Sequence, residues 1–245
     1  SADFIELLQP FKFKSFSKSL FLIMMSSPEA DVLRQRLESG ELGDRLVAVN
    51  QVRHLPPEEG FALLQVAIAD NNARVRYSAV SQFDTVGTSD VAKAEELLRD
   101  RLLNDPEMDV KAAAADCLGA LKVTSAFEDL VQIYESTPEW LLRFSIVAAL
   151  GVLGDKRGFD VLAQAVEAET ELERLAAISA LGDLGDDRAI AILLPLVSDE
   201  DWQVRYRVAQ ALKGFGDHDD VKGAIATLAA DPVEQVANEA KVSQA

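Results

Sequence analysis

A chain of 245 residues with 41 acidic and 24 basic side chains carries a formal charge of −17, which repels a phosphate backbone and argues against a nucleic-acid partner. One cysteine and two histidines, His54 and His218, exclude a disulfide framework and a cysteine-cluster metal site, so no metal is expected. An apolar content of 49% is enough for a continuous core.

Residues 1–25 differ from the rest. They hold five of the eleven phenylalanines (Phe4, Phe11, Phe13, Phe16, Phe21) and a net charge of +1 from Lys12, Lys14 and Lys18 against Asp3 and Glu6. The apolar run Leu20 to Met25 is too short to span a bilayer, and no cleavage pattern follows it. No transmembrane segment is expected, and residues 1–25 read as an N-terminal extension outside the core. Met24-Met25 before Ser-Ser-Pro-Glu resembles a translation start followed by a helix N-cap; the alternative is a weak amphipath for a membrane surface or a partner.

Residues 26–245 read as one repeat domain. A basic residue after the first apolar position recurs at Arg45, Arg76, Lys111, Arg143, Arg174 and Arg205, at spacings of 31, 35, 32, 31 and 31. A further copy, Asp231-Pro-Val-Glu-Gln-Val-Ala, replaces the Arg with Ala237, as a capping unit with no following neighbour would. The longer interval places about four extra residues between Gly87 and Asp105, in a longer first helix or loop. Each unit reads as two helices, the first with spacing such as Phe159, Leu162, Ala163, Val166, the second running from the Val-Arg pair to a glycine. Asp155, Asp186 and Asp217 follow such glycines and should cap the next helix; Pro195 should kink one first helix. With no β alternation, the fold class is all-α, a right-handed α-solenoid of helix-pair repeats.

Numbering each second helix from its Val at about 100° per residue places positions 0, 4, 7, 8 and 11 on the core arc, as in Val75, Ala79, Phe83 and Val86. Position 1 points toward the neighbouring repeat, where the arginines should meet loop carboxylates such as Asp70, Asp105 and Asp199 in a ladder of ion pairs. Positions 2, 6 and 9 should line the inner surface. Position 2 supplies Tyr77, Phe144 and Tyr206; positions 6 and 9 supply Ser81, Asp116, Gln210 and Asp84, with Gly119, Gly151 and Gly182 expected to leave the middle of the groove low. Tyr77, Ser81, Asp84, Asp116, Phe144, Tyr206 and Gln210 are therefore the candidate ligand- or partner-binding residues.

No phosphate-cradling loop, His-Glu-x-x-His or Gly-x-Ser-x-Gly occurs, and no catalytic residue can be named. Cys117 should be a small buried hydrophobe, His218 a turn residue, and Trp140 and Trp202 packing residues of the inter-helix turns.

The stretch Leu150 to Ala189, with its Ala-Leu-Gly-x-Leu-Gly-Asp-x-Arg form, resembles the HEAT-like repeat of phycobilin lyases. The resemblance covers about residues 28–240 and extends to the cyanobacterial NblB-type proteins linked to phycobilisome degradation. It implies a cytoplasmic protein, peripheral to thylakoid-bound phycobilisomes, that binds phycobiliprotein subunits or another protein on its concave face. It also implies phycocyanobilin as a ligand, with a lyase-type attachment or removal of the bilin and no resident cofactor. The sequence is similar as well to the IaiH-type HEAT-repeat partner of an iron–sulfur scaffold, which would be a non-enzymatic interaction protein.

Overall fold

Ser27 starts the first helix of the described residues by accepting a hydrogen bond from the Ala30 N–H at 3.2 Å, while its hydroxyl donates to Glu59 at 2.6 Å. The computed structural model describes residues 27–242, and the extension expected over 1–25 lies outside the described residues. Helices follow in pairs. They are α1 (Pro28–Leu37) and α2 (Leu42–Gln51); α3 (Pro57–Ala67) and α4 (Ala73–Val80), the latter followed by the short α5 (Phe83–Val86); and α6 (Val91–Asn104) and α7 (Met108–Ala120). Then come α8 (Phe127–Ser136) and α9 (Trp140–Leu153); α10 (Phe159–Ala165) and α11 (Glu171–Leu184); α12 (Arg188–Leu193) and α13 (Trp202–Leu212); and α14 (Asp219–Leu228) and α15 (Glu234–Val242). No strand occurs among the described residues.

The extra residues of the 35-residue interval go into α6, which has 14 residues where α3 has 11. Asp155 and Asp186 accept the N–H groups of Arg157 and Arg188, as expected of caps, whereas Asp217 offers its backbone carbonyl to Lys222 instead. Pro195 does more than kink its helix. The missing N–H ends α12 at Leu193, and the chain continues as a 3₁₀ helix over Leu194–Ser198.

Second helices stack in series, α2 on α4, α4 on α7, α7 on α9, α9 on α11, α11 on α13 and α13 on α15. First helices form the opposite layer, and the buried apolar side chains between the layers make one continuous core.

The glycines at position 9 set the spacing of that stack. A Cβ added at Gly119 would lie 2.8 Å from the Ala149 Cα, one at Gly151 2.5 Å from the Ala180 Cα, and one at Gly182 2.7 Å from the Ala211 Cα. These glycines do not floor a groove. They face the next second helix and let two backbones touch, each against an alanine at position 7.

The arginine ladder is present and is more specific than charge pairing alone. Arg76 donates from Nε and Nη2 to the two oxygens of Asp105, each at 2.8 Å, and from Nη1 to the carbonyls of Asp70 and Asn71 in its own inter-helix turn. Arg45 with Asp70 and Arg205 with Asp231 repeat this fork, and Arg174 reaches Asp199 at 2.6 Å. Asp70, Asp105, Asp199 and Asp231 each accept the N–H two residues ahead with one oxygen, so one carboxylate shapes its turn and anchors the preceding repeat.

The ladder also shows how a rung changes. Where Thr137 and Ala168 take the places of the turn aspartates, Lys111 reaches only the Leu103 carbonyl, and Arg143 finds Glu173, at position 0 of the next helix, 2.7 Å away. Glu173 is buried there and also accepts the Tyr134 hydroxyl. On the opposite edge Arg157 and Arg188 stack over Phe127 and Phe159, at 4.3 and 4.1 Å from the ring centroids.

Two stability predictions follow from this packing. Gly151→Ala should lose about 1–3 kcal/mol in urea unfolding through overpacking, whereas Gly223→Ala, in a helix with open space around the new methyl, should gain about 0.5–1 kcal/mol. Equal signs for the two would contradict the backbone contact. Arg76→Met removes the two-pronged partner of the buried Asp105 carboxylate and leaves it Arg101 and the Glu107 N–H, so it should cost about 2–3 kcal/mol, below the cost of a wholly unpaired buried charge, while Arg76→Met with Asp105→Leu should cost less than the single change. A double variant weaker than the single one would refute that.

Candidate binding groove

The Gly-on-Ala contact is absent at the junction of α4 and α7. Position 9 there is Asp84 and its position-7 neighbour is Cys117, both too large for backbone contact. A groove of about 560 Å³ lies along this junction and reaches α9, and Tyr77, Ser81, Asp84, Asp109, Asp116 and Ser145 are among its lining residues. Cys117 closes its base with Sγ 3.1 Å from the Val80 carbonyl, and burial pushes the thiol up to about 12, so it is a packing residue and not a nucleophile.

Four of the seven candidate residues, Tyr77, Ser81, Asp84 and Asp116, thus meet in one place. Gln210 lines a separate hollow of about 450 Å³ with Ser179, Asp183 and Arg207. Phe144 and Tyr206 line neither. Both are half-buried, and Tyr206 packs against the core with its hydroxyl accepting from Gln210 at 3.3 Å. The expected aromatic row along position 2 is therefore corrected to one exposed ring. Tyr77 is 47% exposed, whereas Ala112 and Leu175 at the same position are buried, because close second helices cover that position.

Asp109 and Ser145 were not among the residues expected at the site. Asp109 precedes Asp116 by seven residues, two helical turns, which places both on one face of α7. Ser145 comes from α9 and reaches the groove only through the inter-repeat stacking, which no local spacing reveals.

Trp140 and Trp202 do not pack the turns. Each begins a second helix and is about half exposed, at 51% and 42%, because the turn before it is filled by the arginine fork. Trp140 borders a cleft of about 500 Å³ between two turns, alongside Thr137, Gln164, Glu167 and Thr170.

The groove's electrostatics are one-sided. No lysine, arginine or histidine lines it. Asp116 is pushed up to about 6, since the groove walls strip water from a carboxyl whose outer edge stays open, and this outweighs the Ser145 hydroxyl donating at 3.3 Å. Among the described residues no group of three or more histidine, cysteine, aspartate or glutamate side chains could hold a metal ion, and no helix is long and apolar enough to cross a membrane.

A carboxyl that titrates higher in the folded chain than in the unfolded one lowers stability as pH rises from about 4 through about 6. Asp116→Asn should therefore melt above the parent near neutral pH, by less than about 1 kcal/mol given the solvent screening, and lose that advantage near pH 4. A difference independent of pH would show that Asp116 is not the titrating group.

Comparison with known proteins accords with this architecture. The family model described as HEAT repeats matches residues 95–181 and, overlapping, 159–243. The complex of CpcE and CpcF of phycocyanin lyase from Nostoc sp. is similar at 16% identity and a TM-score of 0.60, over 96% of this chain and 98% of that one. YibA of Escherichia coli is similar at 15% identity and a TM-score of 0.63, over 98% and 91%. Kap95p, from a structure with RanGDP, is similar at 16% identity and a TM-score of 0.54, over 89% of this chain and 35% of that one. At these identities the likeness is one of fold. No curated protein sequence shows a significant match.

Proposed function

Since the chain belongs to the HEAT-repeat family, we propose that it is a protein-binding scaffold whose docking surface is the exposed side of the second helices, centred on the groove at Tyr77. The observation that carries this reading is the half-exposed Tyr77 ring set in a groove of about 560 Å³ beside the closely packed second helices α7 to α13. Stacked helix pairs give such a surface rigidity without needing a catalytic residue, and none is assigned.

Within that class, the partner we favour is a phycobiliprotein subunit, in phycobilisome turnover. Support comes from the repeat resemblance of Leu150 to Ala189 and from the similarity in fold to a chain of the CpcE and CpcF complex, over nearly the whole of this chain and of that one. Free phycocyanobilin suits the groove less well, because its propionates would meet Asp84, Asp109 and Asp116. Any bilin-attaching or bilin-removing chemistry would then act on a bilin still carried by its subunit. The iron–sulfur scaffold partner is the second reading, supported by the resemblance of the repeats to the IaiH type and by a surface that needs no chemistry.

Comigration on a sizing column with holo-phycocyanin, with absorbance recorded throughout, tests the first partner, and the same column with an iron–sulfur scaffold tests the second. Complex formation with phycocyanin is expected, with Tyr77→Ala weakening it about tenfold or more at unchanged helicity. Comigration with the iron–sulfur scaffold alone would overturn the phycobiliprotein reading. Binding indifferent to Tyr77→Ala would overturn the placement of the docking surface.

A further inference from the structure

Most buried or half-buried carboxylates of this protein are held by an arginine. Asp70, Asp105, Glu173, Asp199 and Asp231 each pair with one in the ladder, and Asp155 and Asp186 pair with Arg157 and Arg188. The groove at Tyr77 presents exposed carboxylates instead. Its three aspartates come from α5 and α7, on both sides of the junction, and among the described residues none of them forms an ion pair with a base. Asp84 accepts only the Thr85 hydroxyl, and Asp116 only that of Ser145. Beyond Tyr77 a contiguous hollow adds Glu107 to the acidic side and Arg74 to the basic one.

We infer that this groove receives a lysine- or arginine-bearing segment of a partner protein, its cations meeting Asp84, Asp109 and Asp116 along the groove and an aliphatic stem laid over the Tyr77 ring. The proposal rests on the scaffold reading above and adds the chemistry of the occupant. Three carboxylates without a counter-charge gain most from a cation, and an exposed tyrosine face attracts the same group. The carboxylates are spread along the groove and do not converge as metal ligands, which suits a side chain that spans the groove better than a bound ion. The chain's net charge of −17 would steer a basic segment toward it.

The test uses the full chain and three labelled amphipathic peptides of one helical pattern, with lysine, glutamine or glutamate at the polar positions. The lysine peptide should bind, the glutamate peptide should not, and the glutamine peptide should be markedly weaker. The triple variant Asp84→Asn, Asp109→Asn, Asp116→Asn should weaken the lysine peptide about tenfold or more, whereas a control with the same charge change at exposed sites elsewhere, Glu58→Gln, Asp160→Asn, Asp220→Asn, should change it by less than about twofold. Equal losses in the two triples would mean that net charge alone draws the peptide, and the proposal would fall. Peptide binding that tolerates the groove triple but not Tyr77→Ala would keep the docking surface while removing its cationic occupant.

Discussion

Direct contact between the backbones of successive second helices is the constraint on which the remaining architecture depends. Hydrogen is the only side chain that fits where Gly119, Gly151 and Gly182 meet Ala149, Ala180 and Ala211. That contact pulls the repeats from α7 to α13 together and covers Ala112 and Leu175 at position 2. Its absence leaves room for a groove. At the α4–α7 junction Asp84 and Cys117 stand where the three junctions from α7 to α13 have glycine and alanine, and the groove of about 560 Å³ lies there.

Register along the stack is fixed by a second device, the arginine fork. Each complete rung ties three things: the carbonyls of one inter-helix turn, a guanidinium, and a carboxylate that shapes the next turn. Burial alone pushes Asp105 upward, yet the hydrogen bonds from Arg76 and the Glu107 N–H, with the charges of Arg76 and Arg101, hold its carboxyl below the ordinary range. A buried pair of this kind specifies alignment more than it adds stability, since its desolvation offsets much of the attraction. The exchange of a turn aspartate for Glu173 at the Arg143 rung keeps the same tie by moving the carboxylate from the turn onto the helix.

Much of this was legible in the sequence. The 31-to-35 residue period, the core arc at Val75, Ala79, Phe83 and Val86, and the ladder at Arg45, Arg76, Arg174 and Arg205 each depend on spacing within one repeat or between adjacent ones, and spacing is what a sequence displays. Misreadings arose where the distance between helices mattered. Glycine at position 9 is equally consistent with an open groove and with a close crossing, and only the neighbouring alanine column distinguishes them. The same ambiguity promoted Phe144 and Tyr206 to the binding surface and left Asp109 and Ser145 out of it. Trp140 and Trp202 were assigned to turn packing because the fork that already fills those turns is a three-part contact between repeats.

The central claim is that a protein partner docks where the close packing of second helices is relaxed, and not at the turns or on the first-helix layer. Hydrogen exchange of the full chain, free and in complex with holo-phycocyanin, tests this most directly because it reports location along the sequence. The account predicts new protection in α4, the start of α7 and the first turns of α9 around Tyr77, Asp109 and Ser145, with α3, α6 and α8 unchanged. Protection confined to the first helices, or to the turns beside Trp140 and Trp202, would contradict it.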